Sequence, residues 1–83
     1  MMNKDLDRPF SDEIWEKARN LLYGYGMKIE ENDNLGFVAC GIEFPYTFAD
    51  GKTKKECIKN WKMALQVTIA TMLEIGTELP SYR

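Results

Sequence analysis

The spacing of apolar residues changes along this chain, and each change marks an element. Ile14, Trp15, Ala18, Leu21 and Leu22 recur every three or four positions, which confines them to an arc of about 120° on a helix. Glu13, Glu16, Lys17, Arg19 and Asn20 fill the opposite face. The pattern predicts an amphipathic helix with one face to bury. Ser11 is its expected N-cap, and Asp12 and Glu13 sit in the first turn, where carboxylates meet the positive helix end. Phe10 is placed to staple onto Trp15. Gly24 and Gly26 are expected to stop the helix.

The period then drops to two. Tyr25, Met27 and Ile29 alternate with Gly26, Lys28 and Glu30, the signature of a half-buried strand. Asn32-Asp33-Asn34 is turn chemistry, because Asn and Asp bond their own backbone and tolerate left-handed conformations. A second strand is predicted over Gly36–Ile42. It is apolar on both faces, so it is expected to be central and covered on both sides. Pro45 cannot donate to a ladder and marks a corner. Tyr46–Ala49 then reads as a short third strand that Asp50-Gly51 ends.

Thr53-Lys54-Lys55-Glu56 is a capping box: the Thr53 hydroxyl is expected to accept from the Glu56 N–H, and the Glu56 carboxylate from the Thr53 N–H. A long helix follows to about Ile75, with Gly76 as its C-terminal stop and Pro80 preventing resumption. Cys57, Ile58, Trp61, Ala64, Leu65, Thr68, Ile69 and Met72 make one apolar face. Further along, Met63, Val67 and Ala70 make the opposite side apolar too. A helix apolar nearly all round needs cover nearly all round. Either the N-terminal helix or a second copy of the chain must supply it. Met63, Val67 and Ala70 are therefore the expected self-association residues.

The fold class expected is α+β: an N-terminal helix, a three-stranded antiparallel sheet, and one long C-terminal helix packed on the sheet. The tail Thr77–Arg83 could add a short fourth edge strand. No linker or repeat divides the 83 residues, so a single domain over 1–83 is expected, with a lead-in and extra helix over 1–24 and a core over 25–80.

Composition narrows the chemistry. The chain has no histidine, which removes Ser/His and Cys/His nucleophile pairs and His-containing zinc sites. Two cysteines cannot close a four-cysteine site. Cys40 and Cys57 lack C-x-x-C spacing, and the charged start is unlike a signal peptide, so reduced core cysteines and a cytoplasmic location are expected. The charge-free run Met63–Leu73 would reach about 16 Å as a helix, half the thickness of a bilayer core, so no membrane span is expected. Gly24-Tyr25-Gly26 lacks dinucleotide-binding spacing, and Gly51-Lys52-Thr53 lacks the first glycine of a phosphate loop. Catalytic residues, metal ligands and cofactors are all expected to be none.

A net charge of −2 is not the footprint of a nucleic-acid binder. Lys52, Lys54, Lys55, Lys59 and Lys62 do form a local basic patch, offset by acids elsewhere. Glu30, Glu31 and Asp33 cluster at the first hairpin, and Glu43 stands at a strand end. These four are the expected partner-binding residues, chosen for charge and expected exposure, with a basic partner in view.

Residues 25–80 resemble the HicB-type antitoxin family, whose HicB-like domain has a partial ribonuclease-H fold. The resemblance is carried by Gly36-Phe37-Val38-Ala39, Glu43-Phe44-Pro45, Asp50-Gly51-Lys52-Thr53 with Glu56, the following helix, Gly76, and Leu79-Pro80. Ile42 stands where the family often has proline, and Tyr46 where glycine commonly follows the corner. The resemblance implies a binding role and no enzymatic activity: such domains mask a small basic toxin that cleaves mRNA, and they form dimers or higher oligomers. Many members continue into a DNA-binding domain. Only Ser81-Tyr82-Arg83 follow Pro80 here, so direct DNA binding is not expected. The alternative is a standalone homo-oligomeric HicB-like domain with no toxin partner.

Overall fold

The computed structural model describes residues 10–80. Helix α1 spans Asp12–Leu21, and a 3-10 turn over Leu22–Gly24 follows it. Strands β1 (Met27–Asn32), β2 (Gly36–Gly41) and β3 (Phe48–Gly51) form one antiparallel sheet in the order β1-β2-β3. Helix α2 spans Lys54–Ile75. The α+β architecture is the one expected from the sequence.

The start of α1 follows its local chemistry. The Ser11 hydroxyl accepts from the Ile14 N–H at 3.2 Å, and the rings of Phe10 and Trp15 stack at 6.0 Å. Its end differs from expectation. No left-handed glycine terminates it; the chain tightens into the 3-10 turn, and the positive-φ glycines among the described residues are Gly36 and Gly76.

Two of the strands begin later than the sequence pattern predicts. β1 begins at Met27 rather than Tyr25. Tyr25 is buried instead, its ring edge-on to Phe44 at 4.9 Å and its hydroxyl donating to the Pro80 carbonyl at 2.7 Å. β3 starts two residues later than expected. Tyr46 and Thr47 belong to the corner, where the Thr47 N–H donates to the Phe44 carbonyl at 3.0 Å and the Gly41 N–H to the Thr47 carbonyl at 3.1 Å. Those bonds turn the chain before pairing can resume. Gly36 closes the first hairpin at φ 97°, and a Cβ there would lie 2.6 Å from the Gly51 carbonyl oxygen.

Thr53 caps α2 as expected, accepting from the Glu56 N–H at 3.1 Å. The reciprocal bond shifts by one residue: Glu56 Oε1 accepts from the Lys52 N–H at 3.0 Å, not from Thr53. Asn60 adds a tie to the sheet, its amide donating to the Asp50 carbonyl at 2.8 Å. Gly76 ends the helix in the left-handed conformation at φ 78°.

The core lies between α2 and one face of the sheet. Leu65, Ile69, Cys57 and Ala39 are fully buried, and Trp61 and Phe44 nearly so. Each buried apolar side chain of this size contributes roughly 1.5–3 kcal/mol. Helix α1 packs on α2 rather than extending the sheet. Gln66 marks that contact, its amide donating to the Trp15 carbonyl at 3.0 Å. Residues 77–80 carry no strand, and 81–83 lie outside the described residues, as does the lead-in over 1–9.

Candidate docking surface

Alternation along the strands sorts side chains onto two faces. Met27, Ile29, Phe37, Ala39 and Ala49 face the helices and join the core. The other face carries two cross-strand rows, Glu30–Val38–Asp50 and Lys28–Cys40–Phe48. No described element packs over them. Phe48 is 64% exposed and Leu35, at the hairpin, 49%. A shallow hollow of about 330 Å³ opens between Leu35, Val38, Phe48 and Asp50. So β2 is central as expected, but the described residues cover it on one side only, because α1 spends its apolar face on α2.

The acids expected to bind a partner do not form one patch. Glu30 and Glu31 are adjacent, so they point to opposite faces of the sheet. Glu30 borders the uncovered face beside Val38, while Glu31 pairs with Phe37 on the helix side, exposed at the edge strand. Asp33 is exposed at the hairpin tip. The turn there is held by the Asn32 carboxamide, which accepts from the N–H groups of Asn34 and Leu35, both at 2.9 Å. Glu43 departs from expectation: its carboxylate is half-buried, and Oε1 accepts from the Gly26 N–H at 2.9 Å. It joins the corner to the entry of β1, a structural task that sequence charge alone does not reveal.

Sequence reasoning missed Leu35, Val38, Phe48 and Asp50 as surface residues of interest. The signal lies in the two apolar faces of β2, a pattern that a strand buried on both sides shows equally. Asp50 and Glu30 flank Val38 from the two outer strands, about 10 Å apart at the usual strand spacing. That separation is too wide for the two carboxylates to share one cation. The uncovered face is thus an apolar centre with acids on both sides, and Lys28 at one corner.

The self-association residues also divide. Met63 is 54% exposed and Val67 43%. Ala70 is fully buried, because it follows Gln66 by one turn on the face that α1 covers. It cannot meet a second copy. Thr68 and Thr71, farther along the helix, turn their hydroxyls back to the Ala64 and Val67 carbonyls at 3.0 and 2.9 Å. Thr71 is exposed and, at four-residue steps with Met63, Val67 and Ile75, continues an uncharged surface.

Cys57 is buried in the core, its thiol 3.7 Å from the Ala49 carbonyl, whereas Cys40 is half-buried on the uncovered sheet face. Neither forms a disulfide. Burial pushes the Cys57 thiol's pKa up, and the Asp50 charge pushes it further in the same direction. Among the described residues, no three Cys, Asp or Glu side chains converge as a metal-binding group, and no helix is long and apolar enough to cross a membrane. Comparison with family models, curated proteins and solved structures finds no match for the chain.

Proposed function

We propose that this chain is a cytoplasmic protein-binding module, resembling a HicB-type antitoxin, that docks a small basic mRNA-cleaving ribonuclease and masks it. The observation that carries the reading is the uncovered sheet face: Val38, Cys40 and Phe48 on the strands, with Glu30 and Asp50 beside Val38 and Asp33 at the hairpin tip. Exposed apolar groups with polar neighbours favour a protein partner over water. The acids steer a basic partner and reject an acidic one. The two unpaired cysteines fit a reducing compartment. The reading assigns the chain no enzymatic activity of its own.

Co-expression with a basic chain of about sixty residues encoded beside this one tests the proposal. A stable complex that stops mRNA cleavage supports it. Absence of such a neighbour, or free ribonuclease activity in the mixture, overturns it. The uncharged ridge of Met63, Val67, Thr71 and Ile75 favours a second reading, a homo-oligomer with no toxin partner. Light scattering of the purified chain alone, with and without the basic chain, separates the two.

A further inference from the structure

A cleft of about 450 Å³ lies between α1 and the first half of α2. Leu22, Ile58 and Met63 give it an apolar lining. Arg19 reaches it from α1, and Lys55, Lys59 and Lys62 from α2. The three lysines recur at helical spacing, so one face of α2 brings them together. Tyr23, also in the lining, is 69% exposed, and Lys62 Nζ stands 5.2 Å from its ring centroid.

Among the described residues, no acidic side chain lines the cleft. Among the described residues the one ion pair is Arg19 with Glu16, so the three lysines have no acidic partner. Three lysines, with the ion-paired Arg19 beside them, thus gather around one apolar hollow on a chain whose net charge is −2. Lys55 and Lys59 are like charges one turn apart and repel each other. A bound anion relieves that repulsion.

The two halves of the cleft restrict its occupant. An inorganic anion would leave the apolar lining in water. A neutral apolar molecule would leave the cations unused. A nucleic-acid backbone calls for cations strung along a track, and these converge on one hollow. The volume falls within the range of small-molecule sites, roughly 300–1,000 Å³. We infer that this cleft binds a small amphiphilic anion, a carboxylate or phosphate carried on an apolar chain or ring. The head group meets Lys55, Lys59 and Lys62, and the body lies on Leu22, Ile58 and Met63. The inference stands apart from the docking role proposed for the sheet face.

Amide chemical shifts of the full chain, followed during titration with decanoate and with decyl phosphate, test it. Saturable shifts in residues 19–23 and 55–66 are expected, at least tenfold weaker with decanol or inorganic phosphate, and weaker again at high salt. Comparison of the two head groups identifies the natural class, and either preference is consistent with the site. The Lys55→Glu/Lys59→Glu variant should lose at least tenfold in affinity while its remaining amide pattern stays unchanged. Lys59→Gln provides the same comparison if the double variant does not fold. Shifts centred on Leu35, Val38 and Phe48, equal binding of decanol, or undiminished affinity in the lysine variants would overturn the inference.

Discussion

Replacing Phe48 with serine separates docking from folding. The side chain projects from β3 on the uncovered face and is 64% exposed. Burying a phenylalanine completely contributes roughly 1.5–3 kcal/mol, so the third of it that is buried here contributes roughly 0.5–1 kcal/mol. The lower strand preference of serine adds a few tenths of a kcal/mol at an edge position. Phe48→Ser should therefore cost about 1 kcal/mol. Leu65 provides the opposite case, because it is fully buried under α2. Leu65→Ala should cost about 3–4 kcal/mol, transfer and cavity included. Small domains have about 5 kcal/mol of stability or somewhat more, so the first variant stays folded and the second approaches its limit.

Urea unfolding followed by circular dichroism measures both. With a slope near 1 kcal/mol/M, the Phe48→Ser midpoint should fall by about 1 M and the Leu65→Ala midpoint by about three times as much. Calorimetric titration with the proposed basic partner gives the second half of the result. An aromatic anchor at an interface centre contributes about 2 kcal/mol or more, so Phe48→Ser should weaken the complex by about thirtyfold. A loss of more than about 2 kcal/mol in folding stability would show that Phe48 is packed rather than presented. Unchanged affinity in a folded variant would remove the sheet face from the docking surface.

Charge reversal distinguishes the two faces of β1: Glu30→Lys should weaken binding of a basic partner about tenfold and flatten its salt dependence, whereas Glu31→Lys, on the opposite face, should change the titration little. Val67→Glu should lower the solution mass measured by light scattering if the α2 ridge joins copies of the chain, and an unchanged mass would refute that role. Gly36→Ala should cost about 2 kcal/mol or more in urea unfolding, because φ 97° and a carbonyl oxygen 2.6 Å from the new methyl both oppose it. The raised pKa of Cys57 means the folded state holds a proton that unfolded chains release. Its stabilising contribution is complete below about pH 8.5 and is lost as pH rises through the folded value. Unfolding midpoints of the parent and Cys57→Ala should therefore converge at alkaline pH, and a thiol reagent should label Cys40 well before Cys57.

The helix ends were legible because their determinants are local. Ser11, Thr53 and Gly76 each act within one turn of chain, and all three do what their residue type predicts. The stop of α1 was not legible in the same way, since a 3-10 turn over Leu22–Gly24 needs no left-handed residue. The third strand was misplaced by two residues because the corner is made by backbone bonds among Gly41, Phe44 and Thr47, which side-chain patterns do not encode. Glu43 shows a further limit. A carboxylate near a strand end reads as surface charge, yet its partner is a backbone N–H seventeen positions away. The cover of β2 was misread for a related reason: an apolar strand face states a need for cover but not whether this chain meets it.

The placement of α1 decides both candidate surfaces. By packing its apolar face on α2, it buries Ala70, and no described element covers the outer face of the sheet. The same packing brings Arg19 and Tyr23 beside Lys55, Lys59 and Lys62, residues more than thirty positions apart, and so creates the basic cleft. The net charge of −2 conceals this separation, because cations gathered on the helical layer offset acids around the sheet. A basic partner steered by Glu30 and Asp50 would be repelled from the cleft side, which favours one docking orientation over the other. Met63 belongs both to the cleft and to the exposed ridge of α2, so an occupant of the cleft and a second copy seated on that ridge would compete for it. Occupancy of the cleft would then shift self-association while leaving the sheet face open.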